Sequence, residues 1–335
     1  MKLSIKDIAK SLNLSKATVS WILSGQGEKK GFSAATIKRV KDYADSVGYR
    51  PNQLARSLSL GKTCTIGLIV PSLGDPFYAQ LAEAVEEAAS VKNYSLMVCN
   101  SRGDGQREAE LIDKLNAMQI DGIIMAPNKF TETGVENMLA SHYPFVLVDR
   151  YYPHLKTNYV IVNNRQASHD VVVAMGKKSP LTKLAMVTTD THLYVMNHRM
   201  EGYKDGLAEL GIPFNPSLVV EVDRQNYKED ILVKLQNLFD SHSDIDGLFF
   251  STHYLAMEAV HFFMEQGIDY RHCLNLGCFH EIEGLDILAP EMLVSRIPIK
   301  QMGKEAIRIL LDRIEDKEKE DFECVILDNI FKEEE

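Results

Sequence analysis

Ser15-Lys16-Ala17-Thr18-Val19-Ser20-Trp21-Ile22-Leu23-Ser24-Gly25 is the stretch on which the reading of this chain turns. Ser15 supplies a side-chain acceptor where a helix would start. Val19, Ile22 and Leu23 then fall on its inward face, and Gly25-Gln26-Gly27 ends it. Upstream, Ser4 is placed to cap a helix whose apolar residues Ile5, Ile8, Ala9 and Leu12 follow helical spacing, with Asp7 at the capping-box position. Asn13-Leu14 breaks it. Downstream, Ser33 caps a third helix running to Val47, with Ile37, Val40 and Ala44 inside and Gly48 as its stop. Residues 1–49 therefore predict a three-helix module with a tight turn between its first two helices.

Charge separates this head from everything after it. Residues 1–62 carry 12 Lys and Arg against four Asp and Glu, a net of +8, whereas the remaining 25 basic and 43 acidic residues sum to −18. A basic head on an acidic body implies a polyanionic partner for the head alone.

Residues 50–62, including Pro51, Asn52, Ala55, Arg56 and Leu58, are too short to fold alone and read as a hinge that becomes helical only when held. From Thr63 onward, apolar strands such as Thr65–Val70, Gly122–Ala126, Phe145–Val148, Leu184–Thr188, Gly247–Phe250 and Leu293–Ile297 alternate with amphipathic helices. Such alternation predicts an α/β core with doubly wound parallel sheets, divided into two similar subdomains with a break near Asn163. The expected boundaries are about 63–163 plus 294–325 for the first subdomain. The second takes about 164–293 plus the C-terminal segment.

The stretch Ser15–Gly25 resembles the recognition-helix region of the lactose/galactose repressor (LacI/GalR) family. Gly48–Asn52 with Ala55–Leu58 resembles that family's hinge. Ile66–Pro71, Asp75–Tyr78, Asp121–Ile124, Val148–Arg150, Arg199 with Gly202-Tyr203, and Ile268–Gly277 resemble its core, in order along nearly the whole chain. The resemblance implies a helix-turn-helix head, a hinge helix and a periplasmic-binding-protein-like core that together form a DNA-binding transcription regulator. It places Ser15, Lys16, Ala17, Thr18, Ser20 and Trp21 at a double-stranded DNA operator. Lys16, Ala17 and Trp21 take base-reading positions, while Thr18 and Ser20 suit phosphate or local capping. It likewise assigns Asn52, Ala55, Arg56 and Leu58 to the hinge, with Leu58 as a minor-groove wedge, and it implies a homodimer on a pseudo-palindromic site.

In doubly wound sheets, ligands bind beyond the carboxyl ends of the strands. Phe77, Tyr78, Asp149, Arg150, Asn163, Arg199, Thr252, His253 and Phe279 fall there and form the candidate small-molecule effector site. Thr252-His253, Phe279-His280 and Ile297 depart from the sugar-repressor pattern. Arg150, Arg199 and His253 then suit an anionic effector such as a phosphosugar or sugar acid. A neutral sugar, a nucleobase and a protein co-regulator stand as alternatives.

Enzyme chemistry is not expected. No Gly-x-Gly-x-x-Gly follows a strand, Gly61-Lys62-Thr63 lacks the leading glycine of a phosphate loop, and no nucleophile elbow is present. His272-Cys273 and Cys278-x-His280 lack metal-site spacing, so neither metal nor cofactor is expected. Five cysteines in mostly apolar runs suggest buried thiols of a reducing compartment. No apolar run spans a bilayer and no export leader opens the chain, so the expected location is cytoplasmic, without a membrane partner. A ligand-binding protein without DNA function is the remaining alternative, and the basic head argues against it.

Overall fold

A computed structural model describes residues 4–49, 61–128, 131–317, 319 and 321–331. They fall into two compact units, the described residues up to Cys64 together with Gln119–Asp121, and Thr65–Met118 together with the described residues from Gly122 onward.

In the first unit, α1 (Ile5–Leu12), α2 (Lys16–Leu23) and α3 (Ala34–Ser46) close around Ile8, Ala9, Val19, Ile22, Val40 and Ala44. Each helix starts on a serine. Ser4 and Asp7 form a reciprocal capping box on α1, with the Ser4 amide donating to Asp7 Oδ2 at 2.9 Å. Ser15 Oγ accepts from the Thr18 amide at 3.0 Å and Ser33 Oγ from the Thr36 amide at 3.2 Å. Asn13 ends α1 in the left-handed region at φ 52°, a conformation asparagine tolerates better than most residues. The chain then reverses directly into α2.

The second unit continues with β1 (Thr65–Val70), α4 (Pro76–Val91), β2 (Ser95–Asn100), α5 (Gly105–Ala117), β3 (Gly122–Met125), α6 (Glu132–Ala140), β4 (Phe145–Val148) and β5 (Tyr159–Val162). Next come α7 (Asn164–Lys178), β6 (Leu184–Thr189), α8 (Tyr194–Glu209), β7 (Val219–Val222), α9 (Tyr227–Ser241), β8 (Gly247–Phe250), α10 (His253–Gln266), α11 (Tyr270–Cys273) and β9 (Asn275–Cys278). The last elements are α12 (Leu285–Leu288), β10 (Leu293–Arg296), α13 (Ile299–Glu315), β11 (Cys324–Leu327) and β12 (Ile330–Phe331). Two six-stranded sheets result, ordered β11-β5-β4-β3-β1-β2 and β12-β10-β9-β8-β6-β7. Every pairing is parallel except β10 with β12. Central strands β3, β4 and β8 are buried throughout, as strands covered by helices on both faces must be.

The chain crosses between the sheets after β5, after β10 and after β11. Residues 294–325 were expected to return as a block to the first subdomain. Instead β10 pairs with β9 in the second sheet, and only α13 and β11 return. Cys278 is buried as expected, but Cys273 and Cys324 are exposed, Cys324 because β11 is an edge strand. Among the described residues no helix is long and apolar enough to cross a membrane.

Both sheets reverse their winding direction at one place, between β1 and β3 in the first and between β6 and β8 in the second. A crevice opens at each reversal, beyond the carboxyl ends of the strands.

Candidate functional site

On α2 the buried residues are Val19 and Ile22, which leaves Lys16, Ala17 and Trp21 on the exposed face, with Ser20 half-buried beside them. Ser15 and Thr18 share a 2.8 Å hydroxyl contact, so both hydroxyls serve the cap. Trp21 is 39% exposed. It stacks on Phe32 at 6.2 Å between ring centres, and Lys30 Nζ lies 5.2 Å from its ring. One part of the indole thus packs within the head while the remainder faces outward. Asn52, Ala55, Arg56 and Leu58 lie outside the described residues.

In the core, a cavity of about 1180 Å³ and a smaller inner one of about 50 Å³ meet the loops that follow the strands beside both reversal points. Asp75 begins α4 from the first subdomain. Its carboxylate accepts from the Phe77 amide at 3.0 Å, with Pro76 at the first helical position, where a missing N–H costs nothing. Across the crevice, His253 begins α10, and its Nε2 lies 3.3 Å from Asp75 Oδ1. Burial would raise the Asp75 pKa, but the contact and charge of His253 outweigh it and hold the carboxyl below its ordinary value.

Asp149 follows β4 with φ 63°, and the Arg150 amide donates back to the Val148 carbonyl at 2.6 Å. A non-glycine residue in this region stores about 1–3 kcal/mol of strain, a feature that clusters at functional sites. The turn presents the Asp149 carboxylate to the Tyr78 hydroxyl, which donates at 2.7 Å, and to Arg150 Nε at 3.5 Å. Tyr78 is raised well above its ordinary pKa, chiefly by burial, so its hydroxyl stays a donor. In the second subdomain Asp190, also left-handed at φ 46°, accepts from Arg224 Nη1 at 3.1 Å.

Arg199 on α8 is buried. Its Nε donates to Asn164 Oδ1 at 2.8 Å and its Nη1 to the Ser251 carbonyl at 2.7 Å. Burial lowers its pKa to about 10, which leaves it charged at neutral pH. His280 lines the inner cavity and has neither ring nitrogen hydrogen-bonded. Burial first, then the charges of His253 and Arg199, push its pKa down to about 3.

The inner cavity thus brings together Phe77, Tyr78, Asp149, Arg150, Arg199, Thr252 and His253. Phe279 lies beneath the Arg199 guanidinium. Asn163 sits apart from them: it caps α7 through the Gln166 amide and lines neither cavity. Sequence reasoning did not single out Asp75, Asp190, Arg224 or His280 for the site. The first two carried a legible signal, being acids just after strands β1 and β6. The partnership of Arg224 with Asp190, 34 residues away, carried none.

Residues 63–333 match the model of periplasmic binding proteins and the sugar-binding domain of the LacI family, and residues 4–52 match that of bacterial regulatory proteins of the lacI family. The chain belongs to the LacI family. Catabolite control protein A of Priestia megaterium is 29% identical over 316 residues, covering 92% of each chain. The ribose operon repressor of Haemophilus influenzae is 26% identical over 97% of this chain and 96% of its own. A LacI-family transcriptional regulator from Silicibacter pomeroyi has the same fold, with a TM-score of 0.77 at 21% identity over 98% of both chains. As a LacI-family member the chain is a DNA-binding transcription regulator rather than an enzyme, with a small-molecule-binding type of core behind its head.

Proposed function

We propose that the protein is a dimeric repressor, binding a pseudo-palindromic operator through paired recognition helices and controlled by a neutral sugar held between its core subdomains. One observation carries the choice of ligand: Arg150, Arg199, Arg224 and His253, the residues of the inner cavity that could meet an anion, already lie against acceptors of the protein itself. Arg150 faces Asp149, Arg224 faces Asp190 and His253 faces Asp75, while Arg199 is committed to Asn164 and the Ser251 carbonyl. An anionic effector, the sequence-based expectation, would have to displace a carboxylate or lie against one. A polyhydroxylated neutral ligand instead meets carboxylate acceptors and guanidinium donors side by side. Each buried hydroxyl then finds a partner, as burial of a polar group requires.

Operator control follows from two core arrangements. Asp75–His253 and Phe77–His280 contacts join the subdomains, and a ligand bound between them biases the angle at which they meet. The hinge at Asn52, Ala55, Arg56 and Leu58 transmits that angle to the heads, with Leu58 wedging the central step of the operator.

The test starts with selection of a random DNA library by the full-length protein at near-physiological salt. An enriched palindrome with a flexible central step supports a dimeric reader. Titration of a panel of neutral sugars and their 6-phosphates against that DNA complex then follows. Response to phosphates alone, or to none of them, overturns the neutral-sugar assignment.

A further inference from the structure

A second cavity, of about 310 Å³, adjoins the cleft, and Asn128, Arg150, His192 and Leu193 stand in the walls of both. Its lining is aromatic where the cleft is charged. Tyr151 and Tyr152 come from the segment after β4, and Tyr194 opens α8. These rings are held by their neighbours. Tyr151 lies 4.4 Å from Tyr159 and 5.2 Å from Tyr194, nearly perpendicular to the latter at 89°. Tyr194 in turn lies 4.0 Å from His198, and the Tyr152 hydroxyl donates to the Asn128 carbonyl. Tyr194 nevertheless remains 37% exposed, a large aromatic surface left uncovered at a cavity wall.

The opposite end of the site has a different character. The small inner cavity holds His280, 95% buried by its 5% exposure, with both ring nitrogens unpartnered. A neutral imidazole offers one donor and one acceptor, so this end suits ligand hydroxyls. Between the two ends the cleft exceeds the roughly 300–1,000 Å³ that ordinarily houses a drug-sized ligand, so one monosaccharide leaves much of it unfilled.

We infer that the effector is a neutral glycoside of two rings. One ring engages the polar groups around His280, and the second packs against Tyr151 and Tyr194 in the side cavity. A sugar ring presents an apolar C–H face, and a preorganised aromatic wall covers such a face at little entropic cost. The inference rests on the neutral-sugar reading of the cleft, and its test separates the two.

Calorimetric titration of the full-length protein with glucose, galactose, cellobiose, maltose, trehalose, lactose and melibiose provides the measurement. At least one disaccharide binds about tenfold or more tightly than either of its constituent monosaccharides. Tyr194→Ala removes that preference and leaves monosaccharide binding unchanged, while Tyr194→Phe retains it. The thermal midpoint of each unliganded variant verifies folding, and Tyr151→Ala serves as a second, independent truncation of the same wall. A monosaccharide that binds as tightly as every disaccharide containing it, or a preference that survives both truncations, overturns the two-ring site while leaving the sugar reading intact. Binding of none of these sugars overturns both.

Discussion

The guanidinium carbon of Arg199 lies 3.6 Å from the centre of the Phe279 ring, between a side-chain amide on α7 and a main-chain carbonyl at the end of β8. The aromatic floor and the two acceptors hold the planar group from three sides. A lysine has neither the plane to stack nor the fork to bond both acceptors. Arg199→Lys is therefore expected to fold and yet weaken effector control of operator release by at least about tenfold. Arg199→Ala leaves Asn164 and Ser251 without their donor and destabilises by about 1–3 kcal/mol. Urea unfolding combined with effector titration checks both.

Arg199 reaches those acceptors because α8 lies close against α7. One turn further along α8, a methyl group at Gly202 would overlap the Arg165 carbonyl, and one at Gly206 would meet Val172 at 2.7 Å. Backbone cannot retreat as a flexible side chain can, so overpacking here costs at least the usual 1–3 kcal/mol or so. Gly202→Ala is expected to lower the thermal midpoint of the core and, by displacing α8, to impair ligand binding as well. A variant of unchanged midpoint would mean that the two helices adjust freely.

Much of this architecture is legible because local chemistry and tertiary role coincide. Ser4, Ser15 and Ser33 cap where their spacing requires. Runs such as Thr65–Val70 and Gly247–Phe250 are continuous because both faces of a central parallel strand are covered. The edges are less legible. β11 and β12 are short and half-exposed, so they lack that continuity, and nothing local in Leu293–Arg296 tells which sheet β10 joins. The cleft shows the same divide. Asp149 and Arg150 stand side by side in sequence, whereas His253 meets an aspartate 178 positions away, so compensation of the cleft's positive charge emerges only on folding.

The exposed face of α2 separates reading from folding. Lys16 is exposed and its ammonium bonds to no side chain or carbonyl among the described residues, so Lys16→Ala is expected to leave head stability unchanged. A good base contact is worth about 1–3 kcal/mol, so its loss weakens operator binding roughly 5- to 150-fold and relaxes selectivity at one base pair. Ser15→Ala behaves oppositely: losing the cap costs the head about 1 kcal/mol before any DNA is bound. Trp21→Ala combines both effects, since its ring also stacks on Phe32. Circular dichroism melts and binding to a systematic set of single-base operator variants distinguish them.

His280 gives the core a pH dependence whose sign is fixed by its environment. Its folded-state pKa of about 3 lies below the ordinary 6.5 because burial, His253 and Arg199 all oppose a second positive charge there, against the smaller opposing influence of Asp75. Between these two values the unfolded chain binds a proton that the folded chain refuses. The contribution of this group to stability is therefore fully present above about pH 6.5 and is lost as the pH drops toward 3, with a slope of at most about 1.4 kcal/mol per pH unit. His280→Gln keeps a polar, uncharged side chain at all pH values and is expected to flatten that part of the profile. Urea midpoints measured at half-unit steps from pH 7 to pH 4.5 give the comparison. Parallel profiles for the two proteins would mean that the imidazole is protonated in the folded core and that its ring nitrogens find partners there.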